Sequence, residues 1–127
     1  MKDISYQIIK NGLDASALRQ KIISSNISNV NTPGYKSSRV DFENVLQKAM
    51  AGRGSLVKTN VKHIGLDEVS EVTAKVVTTE GHTMDENGNN VDIDREMVNL
   101  AANEIYYNAL IEQVNRKLSG MSYVINR

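Results

Sequence analysis

Residues 93–125 read Ile-Asp-Arg-Glu-Met-Val-Asn-Leu-Ala-Ala-Asn-Glu-Ile-Tyr-Tyr-Asn-Ala-Leu-Ile-Glu-Gln-Val-Asn-Arg-Lys-Leu-Ser-Gly-Met-Ser-Tyr-Val-Ile. An apolar side chain falls at nearly every step of an alternating four-three spacing: Ile93, Met97, Leu100, Glu104, Tyr107, Ile111, Val114, Leu118, Met121 and Ile125, broken only by Glu104. A mean period of about 3.5 residues is the seam of a helix that packs along other helices, under-wound enough to keep the stripe on one side. The stripe runs to within two residues of the last position. Its expected partner is therefore the N-terminal helix or another molecule.

The N-terminal segment carries a matching stripe at Ile4, Ile8, Ala15, Leu18 and Ile22, with Asn11 in the polar slot. Ile9, Ile23, Ile27 and Val30 widen this apolar face. Glu104 and Asn11 leave two readings open. A polar residue on a seam can fix register or partner number, or the C-terminal helix rotates slightly and uses Ala101 and Ile105 instead. The pattern predicts a mainly α fold, its long N- and C-terminal helices paired as a coiled-coil-like bundle around a short irregular, β-containing middle. One domain is expected over 1–127: an N-terminal helix within 1–31, a turn, short helix and loop or strand over 32–91, and a C-terminal helix over 92–127. The helices themselves should run from about Ile4 to Asn29 and from Asp92 to Ile125. Asp92 is a good N-cap, and Asp94 and Glu96 favour the positive end of the helix dipole.

Between the helices, Thr32-Pro33-Gly34-Tyr35 matches a type II turn, with proline second and glycine third, where φ must be positive. Pro33 is the chain's one proline and also ends the first helix. The turn is either a helix stop and nothing more, or a motif with a role of its own. Asp41 to Met50 places Phe42, Val45, Leu46 and Ala49 on one face of a short helix, stopped by Ala51-Gly52-Arg53-Gly54. The stretch from Ser55 to Thr79 turns Val- and Thr-rich, and alternation over Val69–Val77 favours a strand. Asp85 to Asn90 should be a turn or loop.

The 127 residues hold 15 basic and 15 acidic side chains, so the formal net charge is zero; aromatic residues make up 5%, and there is no cysteine. Mean hydropathy is −0.37. Near-neutrality excludes a basic field for nucleic acid or a polybasic membrane anchor and favours self-association. Without cysteine, disulfides and thiolate chemistry are out. No transmembrane run or signal-peptide core is visible, so no membrane insertion is expected, and general secretion routes would leave the chain in the cytoplasm. A small core drawn from so few aromatic residues leaves a lone chain marginal against ordering entropy of roughly 1–2 kcal/mol per residue, and assembly is the natural remedy.

Catalytic, cofactor and metal sites are not expected. Asp85, Asn87, Asn89 and Glu96 stand at places one, three, five and twelve of a calcium loop, but Asn90 occupies the place that needs glycine, and Asp92 an apolar one. His63 and His82 are isolated, and the serines have no basic partner in a nucleophile arrangement. Asn26-Ile27-Ser28 forms a glycosylation sequon, read as coincidental on an apolar helical face.

Ser25-Asn26-Ile27-Ser28-Asn29-Val30-Asn31-Thr32-Pro33-Gly34-Tyr35-Lys36 closely resembles the N-terminal signature of the bacterial flagellar axial proteins, the rod and hook family. Asn90 to Ala101, followed by Asn103 and Tyr107, looks like the proximal-rod members, as does the Asp41 to Leu46 segment. The resemblance covers about residues 10–50 and 85–127. Serine at 25 and 28 departs from the family's frequent alanine. The resemblance implies a non-enzymatic structural subunit of the periplasm-spanning rod in the flagellar basal body. Its partners would be other rod proteins, proteins of the MS-ring/rod junction, the type III export apparatus and its own copies in a helical array. Export without a cleaved signal peptide follows from it. So does an assembly set of Asn26, Asn29, Thr32, Pro33, Gly34, Tyr35, Met97, Leu100, Tyr107, Ile111, Val114 and Leu118. Phe42 and Leu46 resemble the segment with which early rod and hook substrates engage the export gate; equally, they serve to anchor a short helix. The competing reading from residues alone is a cytoplasmic helical adaptor or coiled-coil regulator.

Overall fold

The computed structural model describes residues 3–51, 71–81 and 86–126. Helix α1 spans Ile4–Ser28, strand β1 Ser38–Asp41, helix α2 Glu43–Ala51, strand β2 Lys75–Thr78 and helix α3 Ile93–Ile125. The chain is mainly helical, and its two long helices pack together. The expected stretch 52–70, with His63 and Val69, lies outside the described residues, as do His82 and Asp85.

The helix ends are set by local chemistry. Asp3 caps α1 by accepting from the Tyr6 N–H, and Asp92 caps α3 by accepting from the Asp94 and Arg95 N–H groups, the role expected of it. At the far end of α1, Asn29 closes the helix with its own N–H on the Ser25 and Asn26 carbonyls and its side-chain amide on Ser25. Beyond it Gly34 sits at φ 72° and the Tyr35 N–H bonds the Thr32 carbonyl at 3.2 Å, the geometry the Pro-Gly pair predicts.

The middle segment covers α1, not α3. Ala15, Val40, Phe42 and Val72 form a buried cluster, joined by Leu18, Ile22, Val45, Leu46, Ala49 and Ala74. The apolar stripe of α1 at Ala15, Leu18 and Ile22 is thus spent on α2 and the sheet. Strands β1 and β2 form a two-stranded antiparallel ribbon with Val40 opposite Val76 and Ser38 opposite Thr78. In β1 only Val40 is buried, and every residue of β2 is exposed. One apolar residue in four leaves no alternation to read, which is why β1 escapes a sequence pattern.

α3 runs antiparallel to α1, but turns a different line toward it than the seam predicts. The contacts are Glu96 with Asn26, Asn103 with Ser16, Leu110 with Gly12 and Lys117 with Asp3. This line lies one residue, about 100°, from Met97, Glu104, Ile111 and Leu118. Of the expected seam, Leu100 and Val114 are half-buried, whereas Ile93, Met97, Glu104, Tyr107, Ile111, Leu118, Met121 and Ile125 are exposed. The alternative through Ala101 and Ile105 also fails, since both are exposed. The physical reason is hydrogen bonding: the inward line satisfies paired polar groups, which the apolar line cannot do.

Candidate functional site

The closed end of the helix pair is a clasp of side-chain amides. Asn89, 2% exposed, donates Nδ2 to the carbonyls of Asn29, Val30 and Thr32 at 2.8–2.9 Å and accepts the Val91 N–H on Oδ1 at 2.8 Å. It ties the exit of α1 to the entrance of α3. Asn90 does the same for the sheet: its amide donates to the Thr79 carbonyl, and its Oδ1 accepts the Ser37 N–H. The Gly34 N–H donates to the Asn87 carbonyl at 2.8 Å, and Lys36 Nζ reaches the Gly88 carbonyl. Two polar loops that would otherwise be solvated hold each other through their backbones.

Asn26 sits at the centre, 1% exposed. Its amide donates to the Ser38 carbonyl and to Glu96 Oε2, while its Oδ1 accepts the Ser38 N–H and the Tyr35 hydroxyl. Toward Ser38 it acts like a strand neighbour, making both backbone bonds. This burial explains the sequon as a packing residue closed to modification. Asn29 and Thr32 bond each other, side chain to side chain, at 3.1 Å. The turn residues Thr32, Pro33 and Gly34 are exposed, and Tyr35 is half-buried with its hydroxyl near Ser25 Oγ.

Further along the pair, Ser16 Oγ donates to Asn103 Oδ1 at 2.9 Å, and Asn103 Nδ2 returns a bond to the Ser16 carbonyl at 3.0 Å and one to Gln20. Both side chains are almost fully buried. The helices come close here because Gly12 has no side chain; a Cβ built on it would lie 3.2 Å from Leu110 Cδ1. No buried side-chain nitrogen or oxygen among the described residues lacks a partner. A satisfied network of this kind specifies one arrangement.

Arg19 joins three helices. Its Nη2 bonds both carboxylate oxygens of Glu43 at 2.7–2.8 Å, and its guanidinium lies 5.8 Å from the centre of the Tyr106 ring. Burial raises the Tyr106 hydroxyl's pKa above its ordinary 10.0, with the Glu43 charge adding to the rise and Arg19 opposing it. At the open end, the Lys117 ammonium lies 2.9 Å from the Asp3 carboxylate. That bond, followed by the Tyr6 N–H, holds the Asp3 carboxyl below its ordinary 3.8.

Phe42 is 2% exposed and centres the core cluster, with half-buried Leu46 packed on it. Their anchoring role is therefore visible. Met97, Tyr107, Ile111 and Leu118 are exposed along α3, Tyr107 beside a groove it shares with Ala17 and Lys21 of α1. Ser16 and Arg19 stand out only in the structure, and Asn89 and Glu96 take roles there other than the calcium-loop and helix-dipole ones weighed from the sequence. The recoverable signal was the seven-residue spacing of Glu96, Asn103, Leu110 and Lys117, masked by the stronger apolar series beside it. Two oxygen ligands of the supposed calcium loop are engaged elsewhere: Asn89 Oδ1 accepts the Val91 N–H, and Glu96 Oε2 accepts the Asn26 amide.

The arrangement holds two helices at fixed register and leaves one long apolar face open, which is the chemistry of a building block. Residues 8–36 match the family model described as flagella basal body rod protein. The flagellar basal body rod protein FlgB of Bacillus subtilis is 35% identical over 95% of this chain and 92% of its own length. FlgB of Borreliella burgdorferi is 39% identical over 77% and 78% of the two chains, and FlgB of Escherichia coli K12 30% over 97% and 94%. The chain belongs to the FlgB family of flagellar basal body rod proteins, structural subunits that associate with other components of the basal body.

Proposed function

We propose that this rod subunit is non-enzymatic, leaves the cytoplasm unfolded through the flagellar type III apparatus without a cleaved signal peptide, and locks through α1 and α3 into a helical tube that transmits torque. The observation that carries the reading is the open stripe of α3. Met97, Ile111, Leu118, Met121 and Ile125 are 52, 37, 46, 36 and 80% exposed. Covering the remaining surface of each is worth about 1 kcal/mol, so a neighbour's helix laid along the stripe would gain several kcal/mol. A contact between this stripe and a different face of the next copy repeats as a helix where its rotation does not close into a ring.

Other rod proteins, proteins of the MS-ring/rod junction and further copies of the chain would supply the covering surfaces. The half-buried Leu100 and Val114 sit at the border between the α1 contact and the open face. The turn from Thr32 to Tyr35, with Asn26 and Asn29 behind it, sets where the chain leaves the helical layer. The export gate would meet Phe42 and Leu46 only in an unfolded chain, because folding buries Phe42 against Ala15 and Val40. No helix among the described residues is long and apolar enough to cross a membrane.

Leu118→Asp tests the reading. The residue is exposed, so the isolated variant should melt within about 0.5 kcal/mol of the parent. Cells should still export it, while purified basal bodies lack it. Normal incorporation of the variant would refute the role given to the stripe.

A further inference from the structure

α3 carries two seven-residue lines side by side. Glu96, Asn103, Leu110 and Lys117 meet α1; Met97, Glu104, Ile111 and Leu118 are exposed. Apolar burial alone would turn the second line inward, since three of its four members are apolar and three of the first line's four are polar. The helix does the opposite. Non-directional apolar contacts tolerate sliding and rotation, whereas a buried amide or carboxylate is satisfied in one register only.

We infer that Glu96 and Asn103 are specificity-determining residues for assembly: their bonds to Asn26 and Ser16 choose the face and register of α3, and so keep the apolar stripe turned away from α1. Each bond lies at a different point along the pair, so a rotation or a seven-residue slip breaks both. The Asn103–Ser16 exchange is reciprocal, and Asn26 is itself held by the Ser38 backbone. Asn26 is thus held in place by a contact that does not involve α3. Gly12 adds a steric condition, because the close approach at Leu110 does not survive displacement of either helix. The assembly consequence rests on the proposed role of the stripe; the register claim does not.

The chain has no cysteine, so cross-linking reads the register directly. Asp3→Cys is combined with Lys117→Cys to report the observed pairing, with Leu118→Cys to report rotation, and with Val124→Cys to report a seven-residue slip. A short bismaleimide is applied to the isolated full-length chain. In the parent background, the 3–117 product should exceed each of the others by about fivefold or more, the bias that one net hydrogen bond supplies. With Glu96→Leu and Asn103→Leu together, this bias should vanish while helix content holds and the melting midpoint falls only by the cost of the groups left on Ser16 and Asn26. Glu96→Gln, which keeps an oxygen for Asn26, should retain the bias. An unchanged ratio in the double variant overturns the inference. Loss of helix in both the double variant and Asn103→Leu alone also overturns it, by making the residues plain stabilisers. In cells, the double variant should be exported but absent from basal bodies. A lost bias with normal incorporation would leave the lock standing and overturn the role of the stripe.

Discussion

Replacing Asn89 removes the tie between the end of α1 and the start of α3, and the cost follows from its four bonds. In Asn89→Ala, the Asn29 and Thr32 carbonyls keep backbone donors from Thr32 and Tyr35. The Val30 carbonyl and the buried Val91 N–H have no other partner among the described residues. Two polar groups orphaned at roughly 1–3 kcal/mol each, one of them within reach of water, give a loss of about 2–4 kcal/mol. Asn89→Asp keeps the shape and the Val91 bond but faces a carboxylate toward three carbonyl oxygens. Its loss at pH 7 should exceed alanine's, at about 4 kcal/mol. The sign with pH is distinctive. That environment raises the new carboxyl's folded pKa above the unfolded value of about 3.9, so the proton binds the folded state better. The deficit is therefore full above the folded pKa and shrinks as pH falls toward 4, where the acid can donate one bond. Urea unfolding followed by circular dichroism at pH 7 and pH 4.5 measures both. Stability of Asn89→Asp within 0.5 kcal/mol of the parent at pH 7, or a deficit that grows on acidification, would refute the clasp.

Phe42→Ala should cost about 3 kcal/mol or more, because the ring centres the only large buried cluster among the described residues; urea unfolding reads it. Gly34→Ala meets no atom within 4 Å but must hold φ 72°, so the loss should be about 1 kcal/mol from backbone strain alone. The same substitution at Gly120, where nothing lies nearby and φ is helical, should stabilise slightly. Asp3 has its pKa lowered in the folded chain, so its contribution is complete above pH 3.8 and lost as pH falls below that through the folded value. Asp3→Asn should flatten that acid limb in a pH series of melting curves and leave stability near pH 10 no better than the parent's.

Much of this molecule is legible from residues 4–36 and 92–125. Caps, the Pro33-Gly34 turn and two long helices follow from local chemistry, which acts within a few residues and needs no tertiary context. The facing of α3 does not follow. A seven-residue apolar series announces a seam, but it does not say whose seam it is, and the weaker polar series beside it wins the intramolecular contact through Ser16 and Asn26, 87 and 70 residues away in sequence. The α1 stripe shows the same ambiguity from the other side. Ala15, Leu18 and Ile22 were a sound apolar face, yet their cover is Phe42, Val40 and Val72, not the C-terminal helix. Strand β1 was invisible because Asn26 and Asn90 pin its start through side chains, a long-range cause that no strand propensity reports. The turn motif near Tyr35 was readable as a turn. Its docking onto Asn87–Asn90 was not, since asparagines in a polar loop look the same whether solvated or buried.

Whether a neighbour covers the open stripe of α3 is read by thiol accessibility at Ile111→Cys and Leu118→Cys, compared between the isolated chain and purified basal bodies. Maleimide should label both positions readily in the isolated chain and at least about tenfold more slowly once the subunit is in the rod, the change expected when about 1.4 kcal/mol or more opposes opening of the contact. Equal labelling in the two states would contradict the account, because the outer face of α3 would then remain bare where a neighbour is required to cover it.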